Sequence, residues 1–183
     1  ALPFLYAIAF VRNERPFAQP PRVLLAIGLA GVLFALDLAS WHIGIEQTRM
    51  ANAALFGNSG SLILMLWAFV MLRKQPGRLE WLAIAMALIG SALLMGRSAE
   101  LSTRNLIGDA FCVLAGLFYA FYILLMAKGR NSLGPWSVLA HASLAGAPVL
   151  LVLALLLDEP FMPTWWLPLI GLAFSSQIIG QGL

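Results

Sequence analysis

Apolar residues run along this chain in helix-length blocks, and the polar residues between them fall in short clusters. The block from Val23 to Ile45 carries one acidic residue, Asp37. A short polar connection, Glu46-Gln47-Thr48-Arg49, leads to a second block, Met50 to Leu72, which carries Asn52, Asn58 and Ser59. Each block has about the 20 residues needed to cross a hydrocarbon core of roughly 30 Å, so the pair predicts a transmembrane hairpin. Leu79 to Gly96, Leu106 to Ala127 and Trp136 to Leu157 predict three more spans. Thr164 to Leu183 starts another, and Ala1 to Val11 reads as the tail of one. Between them, Arg12 to Arg22 is a proline-broken basic loop, and Arg73 to Arg78 is a turn containing Pro76-Gly77. Arg97 to Asn105 is a polar loop with Asn105 as the expected N-cap. Gly134-Pro135 opens the fifth complete span, where proline suits a first helical turn.

Composition narrows this to one class. The chain is 61% hydrophobic and only 10% charged, with a mean hydropathy of +0.89. Soluble domains carry about a quarter charged residues, so this surface is built to face lipid. The expected fold is all-α, a polytopic transmembrane helix bundle. Both ends lie inside apolar stretches, which suggests a piece of a longer protein. The net charge of +3 is scattered over short loops and forms no patch for nucleic acid. Cys112 is the only cysteine, so no internal disulfide forms, and a mid-helix core position is expected for it.

Loop charge sets an orientation. Arg12, Arg15, Arg22, Arg73, Lys74, Arg78, Lys128 and Arg130 lie in alternate loops, against Arg49, Arg97 and Arg104 in the others, and the richer set belongs in the cytoplasm. Trp81, Trp165 and Trp166 near span ends fit an interfacial belt. An internal echo is also present: Leu24 to Ala30 and Leu167 to Ala173 share Ile-Gly-Leu-Ala, and the two start from opposite sides of the membrane. Inverted-topology repeats are a recurring construction of secondary transporters, with the site near the midplane.

Phe34 to Trp41 followed by Thr48 to Leu55 resembles the EamA-type repeat of the drug/metabolite transporter superfamily. Supporting pieces are the basic turn Arg73 to Arg78, the helix end Ile89-Gly90 to Gly96, Gly108-Asp109 with Tyr119 to Tyr122, and Ser176-Gln177 with Gly180 to Leu183. The resemblance covers essentially the whole chain. It implies ten helices in two inverted five-helix repeats with cytoplasmic termini. This chain would then hold residues 1–98 of a first repeat lacking its first helix, and 105–183 of a second, truncated in its third helix. Many members place a proline in the fourth helix, where this chain has Asn58-Ser59-Gly60-Ser61.

Helix geometry picks out the polar candidates. At about 1.5 Å per residue, Asp37 and Asn58 each lie roughly 12 Å inward from the outer end of the hairpin, so Asp37, Asn58 and Ser59 are expected at one depth. Trp41 sits one turn outward of Asp37 on nearly the same face. An acid in mid-span is expensive and therefore a functional candidate. A carboxylate among amide, hydroxyl and aromatic neighbours would bind an amino group or carry a proton, and the competing reading is packing alone. Gln177 and Gln181 share a helix face and are expected to line a polar interior, with Tyr119 as a further lining residue. Tyr122 is expected to pack. Asn52 is expected to hydrogen-bond across helices, Asp109 to favour its helix N-terminus, and His42 and His141 to hydrogen-bond locally. Ala83, Ala87 and Ser91 form a small-residue face suited to close helix contact.

The candidate set Asp37, Trp41, Asn58, Ser59, Gln177, Gln181 and Tyr119 belongs to a substrate or proton pathway, with no catalytic residue, metal or cofactor. No metal-ligating His-Glu motif, phosphate loop or nucleophile with an evident base is read in the sequence. The expected protein is an inner (plasma) membrane, multi-pass secondary transporter exporting a small polar metabolite such as an amino acid by alternating access, with proton coupling one option. Its partners are the lipid bilayer, a small-molecule substrate and a second copy in a homodimer, without nucleic acid. A non-transporting membrane interaction module and a membrane-embedded lipid enzyme are the alternatives.

Overall fold

A computed structural model of the chain describes residues 2–73, 75, 77–98, 102–157 and 165–176, without the side chains of 72, 91, 94–98 and 174. Among the described residues every regular element is a helix: α1 (Leu2–Val11), α2 (Pro21–Gln47), α3 (Met50–Gly57), α4 (Gly60–Leu72), α5 (Arg78–Ser98), α6 (Thr103–Arg130), α7 (Pro135–Leu156) and α8 (Trp166–Phe174). Four stretches among the described residues are long and apolar enough to cross a membrane: α2, α3 with α4, α6 and α7. The chain is thus an all-α polytopic helix bundle. At 21 residues α5 has matching length.

The apolar blocks became helices with small shifts at their ends. Pro21 opens α2, so the proline-rich loop closes two residues before the expected boundary. Thr103 opens α6, where the sequence favoured Leu106, and the cap is Ser102 rather than Asn105. The Ser102 hydroxyl accepts the Asn105 backbone N–H at 3.2 Å, which satisfies one of the orphan donors of a first helical turn. The larger departure lies in the hairpin's second block, which divides into α3 and α4 at Asn58-Ser59.

The helices gather into two compact units, residues 1–35 with 121–183 and residues 36–120. In the first unit, Leu5 and Ala9 of α1 pack with Trp136, Leu139 and Ala140 of α7. A second cluster joins Ile27 and Ala30 to Tyr122, Met126, Leu133, Val138 and Ala142. Close approach is set by Gly31, where a Cβ would collide with the Ala142 carbonyl. The end of α1 is a Schellman turn, with Asn13 at φ 55° and Glu14 N–H reaching the Ala9 carbonyl at 2.9 Å. The turn carries the Glu14 carboxylate to the start of α7, where it accepts the Ser137 N–H at 2.7 Å.

In the second unit α2, α3 and α4 lie along one stripe of α6. Gly108, Cys112 and Gly116 recur every four residues and so share a face. Gly108 lies under the Gln47–Thr48 backbone, Cys112 under Gly44, and Gly116 under Ser59 and Gly60. Small side chains let the helix axes close up without a hydrophobic drive between them. The small-residue face expected of Ala83, Ala87 and Ser91 lies on a different helix, α5. Ala83 and Ala87 are exposed, and the Ser91 side chain lies outside the described residues.

Candidate functional site

The site residues that can be located belong to the second unit. Asp37 stands in the body of α2, half-buried. No hydrogen bond or ion pair from the described residues reaches its carboxylate.

Beside α2, the interruption between α3 and α4 has a clear cause. The Asn58 side-chain amide donates to the Ala54 carbonyl at 2.6 Å, and the Asn58 backbone N–H points to the same oxygen at 3.3 Å. The Ser59 N–H then pairs three residues back, with Phe56 at 3.0 Å, and the Ser61 N–H pairs with Asn58 at 3.4 Å. This local 3₁₀ step shows how Asn and Ser, by offering the backbone alternative partners, loosen a helix from within. The Ser59 hydroxyl is enclosed without a hydrogen-bond partner among the described residues.

Two aromatics frame the interruption. A Cβ on Gly57 would lie 2.9 Å from the Trp41 indole nitrogen, and one on Gly60 would lie 3.1 Å from the Tyr119 ring. Trp41, Ser59 and Tyr119 are therefore gathered around the α3–α4 junction. Asn58 sits at the junction as well, but its amide is turned onto its own helix. The geometric reading of one shared depth does not become a hydrogen bond between Asp37 and Asn58 or Ser59.

A third polar group lies at the α2–α3 corner. Asp109 accepts the Thr48 hydroxyl at 2.5 Å through one oxygen and the Asn52 amide at 3.4 Å through the other. Arg104 donates to the Glu46 carbonyl at 3.0 Å nearby. The expected end-capping role of Asp109 is thus corrected. The first turn of α6 lies before it, and its carboxylate joins α6 to the corner instead. Asn52, 7% exposed, makes the cross-helix bond expected of it.

The comparisons with known proteins agree with this architecture. The model of the EamA-like transporter family matches residues 1–96, more than half of the chain. The chain belongs to the EamA-like transporter family. It is also 23% identical, over 158 residues and 85% of its length, to an uncharacterized transporter of Archaeoglobus fulgidus, of which it covers 54%. The chain thus spans about half the length of that curated relative. No solved structure matches it.

In this EamA-like chain, Gln177 and Gln181 lie outside the described residues. Tyr122 is buried against Phe34, ring centroids 4.9 Å apart, and so packs. His42 lies 3.8 Å from Glu46 on the exposed side of α2. His141 meets the Ser137 carbonyl at 2.8 Å and stands edge-on to Tyr6 and Phe17. Sequence reasoning missed the linking role of Asp109 and the capping role of Glu14. A visible signal existed for Asp109: its place beside Gly108, on a four-residue stripe of small residues.

Proposed function

We propose that this chain forms part of an inner-membrane secondary transporter that exports a small polar metabolite such as an amino acid by alternating access between inverted repeats, residues 1–98 and 105–183. The observation that carries the reading is the Asp37 carboxylate, half-buried in a membrane-length helix with no partner among the described residues. A charge in that position is costly, and an incoming amino group or proton offsets the cost. The interrupted helix beside it supports the same reading, because broken helices free backbone groups for ligands at the membrane midplane. Asp37 is the cationic-group or proton site in this proposal. Trp41, Asn58, Ser59 and Tyr119 line the pathway, with Gln177 and Gln181 contributing from the second repeat.

The test uses the full-length protein in proteoliposomes with labelled amino acids, with and without an imposed pH gradient. Uptake driven by the gradient and lost in Asp37→Asn is the expected result. Uptake that survives the substitution removes Asp37 from the mechanism and leaves the transporter reading in place. Absence of flux for every compound, with the protein shown to be folded, counts against the proposal.

A further inference from the structure

The shortest helix in the second unit is held at one end by a feature that the pathway above does not use, and ends at the interruption that the pathway does use. Residues 48 and 49 alone join α2 to α3, which has eight residues. A helix of two turns has little stability of its own, so its position is set by its attachments. At one end Asp109 receives the Thr48 hydroxyl from the corner and the Asn52 amide from the first turn of α3. At the other end is the 3₁₀ step at Asn58-Ser59, where the ladder to α4 is already broken.

We propose that Asp109 is the catch of a latch that fastens the α2–α3 corner to α6, with the Asn58-Ser59 interruption as the pivot on which α3 turns when the catch releases. Asp109 is a positioning residue here, acting on the pathway through α3. The catch has unequal arms. The Thr48 bond, at 2.5 Å, is short and charge-assisted, while the Asn52 contact at 3.4 Å is long. The Asn52 carbonyl oxygen is buried and unpartnered among the described residues, so moving Asn52 away from Asp109 breaks no bond at that atom. At the pivot the Ser59 hydroxyl likewise has no hydrogen-bond partner among the described residues to lose. Release frees the corner together with the last turn of α2, which carries Gly44, and so uncovers Gly108 beneath Gln47 and Thr48 and fully buried Cys112 beneath Gly44. Loop charge places this corner on the outer side, so the latch closes the outer end of the hairpin.

Cys112 serves as the built-in reporter. Cells expressing the full-length protein, with any cysteine other than Cys112 replaced by serine, are treated with a membrane-impermeant maleimide. The unaltered latch should leave Cys112 nearly unlabelled. Asp109→Ala should raise the labelling rate about tenfold, as expected when a charge-assisted bond is lost. Thr48→Val should raise it by a comparable factor, and the double variant should label no faster than Asp109→Ala, since both remove one interaction. Should Asp109→Ala fail to fold, Thr48→Val, which removes only a hydroxyl, carries the test. Unchanged labelling in the folded variants, or additive effects in the double variant, overturns the latch. The proteoliposome flux test above rests on the transporter reading, and the labelling test does not. Altered labelling without flux leaves the latch standing, and flux with unaltered labelling leaves only the transporter reading.

Discussion

The middle of α2 and the corner at its end each present a carboxylate, and they are built on opposite terms. At the corner, Asp109 has a hydroxyl on one oxygen and an amide on the other, supplied by a connection that small residues allow to approach α6. In the body of α2, Asp37 is half-buried and has no such provision among the described residues. A partnered carboxylate contributes to holding its elements together. An unpartnered one raises the free energy of the resting protein and lowers it again only when something arrives. The two acids are alike in the sequence, and the difference lies in the neighbours the fold supplies.

The contrast depends on α6 being seated, so the largest expected effect comes from unseating it. A Cβ at Gly116 would overlap the Ser59 hydroxyl and come within 3.1 Å of the Gly60 nitrogen and the Phe56 oxygen. The latter two are backbone atoms and cannot step aside. Gly116→Leu should therefore cost about 3 kcal/mol, read as a large fall in melting temperature or loss of monodisperse protein in detergent. Near-native stability would mean that α6 is not held through this stripe.

Next in size is the direct comparison of the two acids. Asp109→Ala leaves Thr48 and Asn52 without their acceptor and should destabilise by about 2 kcal/mol. Asp37→Asn removes no hydrogen bond or ion pair among the described residues and should leave the melting temperature within about 3 °C of the parent, the shift of roughly 1 kcal/mol in a domain of this size. Thermal unfolding of both purified variants decides it. A large loss in Asp37→Asn would show that Asp37 packs the structure after all, and the contrast would collapse.

How much of this was readable beforehand follows the range of the forces involved. The spans were legible because a twenty-residue apolar run has one destination in a bilayer, whatever its neighbours. The α3–α4 interruption was half legible: Asn58-Ser59-Gly60-Ser61 invites local hydrogen bonding, but that Gly116 of α6 lies against the break could not be read from spacing. Two small-residue stripes were present at the same spacing, one on α5 and one on α6. Spacing says which residues share a face and nothing about what meets that face. The α6 stripe is covered, and Ala83 and Ala87 on α5 are exposed. Among the pathway candidates, Trp41, Ser59 and Tyr119 came together around the junction, while Asp37 and Asn58 formed no bond. Glu14 was illegible as a cap because its partner lies 123 positions away, and one acid in a basic loop looks like a solvated charge.

Glu14 also gives the smallest prediction and a third case for the comparison. Its carboxylate accepts a backbone N–H from the first turn of α7, with Gly134 packed so closely that a Cβ there would strike it. Two contributions act together, a hydrogen bond and a negative charge at the positive end of a helix dipole. Glu14→Gln keeps an oxygen acceptor and removes the charge, so it should cost about 0.5 kcal/mol. Glu14→Ala removes both and should cost about 1 to 2 kcal/mol. Thermal unfolding at low and high salt separates the contributions, because salt screens the dipole term and leaves the hydrogen bond. The cost of Glu14→Gln should shrink as salt rises, while that of Glu14→Ala should largely persist. If both costs vanish in salt, the cap works by charge alone. Glu14 would then resemble Asp37, a charge set in a field, more than Asp109, a charge tied to partners.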